Sequence, residues 1–172
     1  MVILLDKMRI TVRSKKLVEP SRNYLSFYRK YALVVFNTLR KPLFQKFLSW
    51  MLRREEIKKN KVKDVQIRMF PFKKENGNGL AGKCNSEGEI LLYPKRLEFC
   101  RNQIHEFGKE SLSLYIKNRA RAALIHELLH LRYVSDEETV RELTKKYFNI
   151  FTKHQPTQNS NAHNIAKMLF TQ

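Results

Sequence analysis

The residues best suited to chemistry are His126-Glu127-Leu128-Leu129-His130, which read H-E-x-x-H within a stretch, 121–134, that contains no Gly or Pro. On a helix, positions i and i+4 share a face, so both imidazoles can reach one metal ion. Zinc takes nitrogen ligands at about 2.0–2.1 Å, a span that two such side chains can bridge. Glu127 then lies beside the metal, placed to take a proton from a water. With five His and thirteen Glu in 172 residues, chance yields the pattern in about one such sequence per hundred, so context must decide. Ala122, Ala123, Leu124, Ile125, Leu128, Leu129 and Leu131 surround the histidines and predict a largely buried helix. Two imidazoles and a carboxylate are costly to bury without a partner, and a metal resolves that cost. The competing reading is a helix whose His and Glu face solvent or pair with Arg121 or Arg132.

A catalytic zinc takes three protein ligands and a water. Candidates for the third follow at once in Ser135-Asp136-Glu137-Glu138-Thr139-Val140-Arg141-Glu142. Glu138 and Glu142 stand at i and i+4 and share a helix face. With this segment, residues 62–152 resemble the gluzincin branch of zinc metallopeptidases, above all the minimal gluzincins and the repressor-cleaving prophage metallopeptidases. Those proteins carry H-E-x-x-H on one helix and a glutamate on the next. An acidic residue four positions later often steadies the first His. The resemblance implies a zinc peptidase with Glu127 as the catalytic base and His126, His130 and Glu138 as metal ligands. Glu142 would be the outer partner of His126.

One departure concerns spacing, because only seven residues separate His130 from Glu138, where many gluzincins have far more. The first helix must end near Tyr133 and reverse, with Ser135 as the N-cap of the next. Two alternatives stay open. Ser135-x-x-Glu138 is also a capping box, which would turn Glu138 to the backbone and leave Glu137 as the ligand. The metzincin pattern H-E-x-x-H-x-x-G-x-x-H/D would make Asp136 the ligand, but Tyr133 stands where that pattern has its turn-permitting Gly. A distant His is the remaining source.

The elements that position these residues are readable from periodicity. Residues 8–13 alternate as a short strand, and 21–39 have helical, aromatic-rich spacing. Pro42 suits the first turn of another helix, whose apolar positions are Leu43, Phe44, Phe47, Leu48, Met51 and Leu52, with Gln45, Lys46, Ser49, Arg53 and Arg54 opposite. This basic amphipathic helix either packs on its own domain or lies on an anionic surface. Val65, Ile67 and Met69 share the face of a strand. Leu80–Cys84 and Glu89–Tyr93 form a hairpin through Asn85–Gly88. Leu97, Cys100, Ile104 and Phe107 mark a helix closed by Gly108. A long helix, 109–133, carries the motif, and another runs from Ser135 to about Phe151. Residues 154–164 are polar and Asn/Gln-rich, a linker to the short apolar segment 165–170. The expected fold is α+β: a small mixed or antiparallel sheet packed on the long motif helix and the glutamate helix. The chain divides into a basic helical region (1–60), a zincin-like core (61–153), and a linker with its apolar segment (154–172).

Composition bounds the rest. A length of 172 residues fits one domain. The net charge is +18, and residues 1–60 alone carry fifteen Lys and Arg against four Asp and Glu. Such a field favours nucleic acid, anionic membrane surfaces or acidic proteins, and a combined reading is a peptidase brought by its basic N-terminal region to nucleic acid or a DNA-bound protein. A thermophile-like charged surface explains abundant charge but not the shortage of acids. Tyr24, Phe27, Tyr28, Tyr31, Phe44, Phe47 and Trp50 interleave with the basic residues. This supports an alternative function as a nucleic-acid-binding protein in which the H-E-x-x-H is structural or accidental. Cys84 and Cys100 lack C-x-x-C spacing, which excludes a zinc ribbon, and free thiols fit a reducing cytoplasm. The start, Met1–Asp6, is too short for a signal h-region, and no apolar run approaches the roughly 20 residues of a membrane span.

For peptide hydrolysis, a sheet edge at Leu80–Cys84 or Glu89–Tyr93 would align the substrate. An oxyanion donor is also expected, with Tyr147, His154 and His163 as candidates, although Tyr147 fits core packing better. His105 has no ligand-spaced companion and reads as a surface or structural residue. The segment 165–170 or the N-terminal region is a candidate cover of the cleft in a self-inhibited form.

Overall fold

The computed structural model describes residues 3–5, 8–14, 22–72 and 80–153 of the chain. It is α+β. Strands β1 (Ile3–Leu5), β2 (Met8–Arg13), β3 (Asp64–Arg68), β4 (Gly82–Cys84) and β5 (Glu89–Leu92) form one mixed sheet in the order β1-β2-β3-β5-β4. The inner three strands are parallel, and β1 and β4 run antiparallel at the two edges. The strand period of two does the sorting. Ile10, Val65 and Ile90 stand opposite one another on three neighbouring strands and are all 0% exposed. Thr11 and Gln66 point to the other face, where Arg68 Nη1 donates to Gln66 Oε1 at 3.2 Å.

Parallel neighbours need a crossover. Between β2 and β3 it is made by α1 (Arg22–Leu39) and α2 (Pro42–Arg54). Tyr28, Tyr31, Ala32, Val35, Phe36 and Leu39 recur on one face of α1 and are buried, and α1 packs on β2, β3 and the third helix. Pro42 opens α2 as its spacing predicts. The buried stripe of α2 is rotated from the sequence expectation. Leu43 is exposed, while Gln45 is buried and its Nε2 donates to the Leu39 carbonyl at the end of α1. A helix C-terminus leaves carbonyls without partners, and this amide side chain satisfies one of them. Phe44, Leu48, Met51 and Leu52 fill the core, with Phe44 edge-on to Phe151, ring centroids 5.0 Å apart.

The helix α3 (Leu97–Tyr133) is interrupted at Gly108, whose φ of 84° lies in the left-handed region. Only glycine takes that conformation cheaply, so the chain forms a short and a long helical segment as the spacing implied. The long segment packs on β4, β5 and α1, and Leu124, Ile125, Leu128 and Leu129 are each 0% exposed. Helix α4 (Glu137–Lys153) lies against α3. A single buried cluster joins Ile10, Phe36, Leu48, Val65, Leu124 and Phe148, and so runs through both the basic N-terminal region and the motif-bearing part.

The junction between α3 and α4 corrects one expectation. Asp136, not Ser135, is the N-cap: its Oδ1 accepts the Thr139 N–H at 3.0 Å. That hydrogen bond holds the Asp136 carboxyl below its usual range. The reversal is tight, with the Asp136 N–H bonded to the Tyr133 carbonyl at 2.7 Å and Val134 at φ 24°. Nearby, the Glu55 carboxylate just past α2 accepts the hydroxyls of Tyr133, at 2.7 Å, and of Tyr147. Arg132 donates to the Glu55 carbonyl, so the ends of α2 and α3 and the middle of α4 are tied together.

Candidate metal centre

Burial of Leu124, Ile125, Leu128 and Leu129 fixes the rotation of α3 about its axis, and with it the direction of the two motif histidines. His126 and His130 lie one turn apart with ring centroids at 4.7 Å and Nε2 atoms at 3.1 Å. Two nitrogens on one tetrahedral zinc stand about 3.3 Å apart, given bonds of about 2.0–2.1 Å. The third group is Glu137, the first residue of α4, with Oε1 3.6 Å from His126 Nε2 and Oε2 3.3 Å from His130 Nε2. Donor atoms of these three residues all lie within 4.8 Å of one another, a grouping that could hold a metal ion.

Ring nitrogens on the far side set the tautomers. His130 Nδ1 is 3.0 Å from the Val134 carbonyl, which can only accept, so Nδ1 carries the proton. His126 Nδ1 is 3.4 Å from Thr144 Oγ1, whose own proton goes to the Val140 carbonyl at 2.7 Å. Thr144 therefore accepts from His126 Nδ1. With Nδ1 so engaged on both rings, the two Nε2 atoms face each other and Glu137, the arrangement that outer partners impose on ligating histidines.

The structure places the other sequence candidates differently. Glu138 and Glu142 are exposed and lie outside the group. With the cap at Asp136, the first helical side chain toward α3 is Glu137, and the next residue is rotated by about 100°. The third member is thus the alternative, Glu137, rather than Glu138. The place expected for Glu142 beside His126 is taken by Thr144. The carboxylate of Asp136 is engaged as a cap.

Glu127 is 6% exposed and packs against β4. Its negative charge and, more strongly, burial push the neighbouring Cys84 thiol up to about 11. Arg121 and Arg132 are turned elsewhere. The Arg121 guanidinium sits 5.1 Å from the Phe151 ring centre and donates to Asn118, and Arg132 binds Glu55 and Glu56. Cys84 and Cys100 are free thiols. His105 is exposed on α3. Tyr147 is buried with its hydroxyl on Glu55; burial first and then Glu55 raise its pKa. That use in the core corrects its candidacy as an oxyanion donor. His154, His163 and the segment 165–170 lie outside the described residues.

His126, Glu127, His130 and Glu137 line an open cleft of about 1020 Å³. Its opposite wall is β4 and the Asn85–Gly88 turn. Of the two strands proposed as a substrate edge, β4 is the edge and β5 is internal. Arg119 of α3 donates to the carbonyls of Leu80 and Tyr93, which anchors both strands beside the cleft. Gly82, Thr144, Arg119 and the Val134 carbonyl were not found from the sequence. Gly82, Arg119 and Thr144 sit at no ligand-like spacing from the motif, whereas Val134 stands four residues after His130, a helical spacing that points to it.

Comparison of the chain with family models, curated proteins and solved structures found no match to any of them. Among the described residues, no helix is long and apolar enough to cross a membrane.

Proposed function

We propose that this chain is a zinc-dependent peptidase. The observation that carries the reading is the convergence of His126 Nε2, His130 Nε2 and the Glu137 carboxylate beside Glu127, in a cleft bordered by an edge strand. Two imidazole nitrogens and one carboxylate form a ligand set that suits zinc and leaves a fourth position for the reaction. Bound there, zinc would polarise a carbonyl and make an attacking water more acidic. Glu127 takes the proton of that water and delivers it to the departing amine. Its packing against Gly82 of β4 keeps the carboxylate oriented. The outer edge of β4 offers backbone N–H and C=O groups to an extended peptide. Thr144 and the Val134 carbonyl hold the imidazoles in the required tautomers.

Metal analysis of the purified chain, paired with peptide hydrolysis, tests this reading. The expected result is one zinc per chain in the wild type and in Glu127→Gln, with hydrolysis reduced by roughly 10²–10⁴-fold in that variant. His126→Ala should lose both. A folded wild type that excludes zinc at micromolar concentration, or a Glu127→Gln variant as active as the wild type, would overturn it.

A further inference from the structure

The charged residues lining the cleft are not balanced. Glu127 and Glu137 are committed to the candidate centre, and Arg141 Nε is bonded to Glu137 Oε1 at 2.9 Å. What remains is Lys61, Lys63 and Lys83 against Glu87. The three lysines are exposed, and the ion pairs within the described residues involve none of them. Lys61 and Lys63 are tied to the β4–β5 hairpin by a close joint, and Lys83 lines the cleft from β4 itself. Gly88 packs on the chain at Lys61, where a Cβ would stand 1.8 Å from the Lys61 carbonyl oxygen, and the Lys63 N–H donates to the Gly88 carbonyl at 3.0 Å. The hairpin and the 59–63 segment are thereby joined along this side of the cleft.

Resting on the peptidase reading, we propose that the cleft selects peptides with acidic side chains on the side of the scissile bond that lies along the β4 hairpin. A cleft wall of one sign raises the local concentration of ligands of the other sign and penalises cations there. Glu87 interrupts the basic surface that a continuous phosphate backbone would need, whereas isolated carboxylates can reach the lysines while the peptide main chain pairs with β4. The lysines are not among the groups assigned to metal binding or proton transfer, so they act on KM more than on kcat.

The test uses the zinc-loaded full chain and matched peptides in which Asp and Glu are exchanged for Asn and Gln, position by position. At low ionic strength kcat/KM should be about tenfold higher for the acidic member at the responsive positions, mostly through KM, and the gap should close with salt. Lys61→Glu/Lys63→Glu/Lys83→Glu should abolish or invert the preference. Arg29→Glu/Lys30→Glu/Lys46→Glu makes the same change of charge on exposed parts of α1 and α2 and should preserve it. Binding of the same labelled peptides to zinc-loaded Glu127→Gln gives a readout free of turnover. Equal treatment of acidic and amide peptides in both assays would overturn the proposal. So would a single-stranded oligonucleotide that displaces the acidic peptide from the same lysines with higher affinity. Acid-selective binding with no hydrolysis of any peptide would sink the peptidase reading and uphold the charge selectivity of the cleft.

Discussion

Gly82 of β4 lies directly against the side chain of Glu127: a Cβ at position 82 would stand 2.7 Å from Glu127 Cγ and 2.8 Å from Oε1. No real Cβ tolerates such contacts, so the absence of a side chain on the edge strand is what lets the carboxylate occupy its place. The strand proposed to align substrate and the residue proposed to move protons are thereby set in one geometry. Gly82→Ala should cut peptide hydrolysis by roughly 100-fold, because an ångström of displacement at a reacting group has that order of effect. Zinc content should be unchanged. Full activity in Gly82→Ala, measured beside zinc stoichiometry, would show that Glu127 does not need this position.

The two adjacent glutamates at the start of α4 make a sharp comparison. Glu137→Gln should weaken zinc binding by on the order of 100-fold or more, while Glu138→Gln should leave it within experimental scatter. Competition with a fluorescent chelator reads both. The reverse ranking would mean that α4 is capped at Ser135 after all.

Thr144 is predicted to act on the metal through His126. Thr144→Val keeps the shape but removes the acceptor for His126 Nδ1, and zinc affinity should fall about tenfold. Thr144→Ser should restore it. A drop of the same size in thermal stability with zinc affinity intact would reduce Thr144 to a packing residue.

The Cys84 thiol, raised from 9.0 to about 11 by burial and then by Glu127, gives a pH-dependent probe of the cleft. In the metal-free protein, alkylation at Cys84 should be slow at pH 8 and climb as pH approaches 11. Glu127→Gln removes the nearby negative charge and should move the rise to lower pH. For folding the sign is fixed by proton binding. Between about pH 9 and 11 the native thiol holds a proton that the unfolded one has lost, so stability falls as pH rises through that window. An alkylation profile identical in both proteins would separate Cys84 from Glu127.

The Glu55 carboxylate holds two tyrosines, and one of them is fully buried. Tyr147→Phe removes a donor from this buried acceptor and should cost about 1–3 kcal/mol in urea unfolding. Tyr133→Phe, at the half-exposed end of the same carboxylate, should cost less. Specific activity per folded molecule should survive Tyr147→Phe, and its loss would return Tyr147 to the chemistry.

Local signals in the sequence were enough for most of the elements, though not for the edge strand Ile3–Leu5, and for half of the site. Alternation at Met8–Arg13 and around Val65, the Asn85–Gly88 turn, Pro42 and Gly108 all report on the backbone within a few residues, which is the range of periodicity and turn chemistry. The spacing of His126 and His130 is equally local, since an α-helix places i and i+4 on one face wherever it packs. The acidic member of the candidate centre was different. Glu137, Glu138 and Asp136 are separated by single helical steps, and which of them faces α3 depends on where α4 is capped. The structure puts that cap on Asp136, a choice made by the tight reversal after Tyr133 and by packing of α4 on α3. Contacts between distant segments were beyond any local pattern. Gly82 against Glu127, Thr144 against His126, and Lys61 and Lys63 beside the β4 hairpin each join residues eighteen or more positions apart. The sequence by itself determined that two imidazoles would meet; tertiary packing alone decided which carboxylate, which edge strand and which charges would meet them.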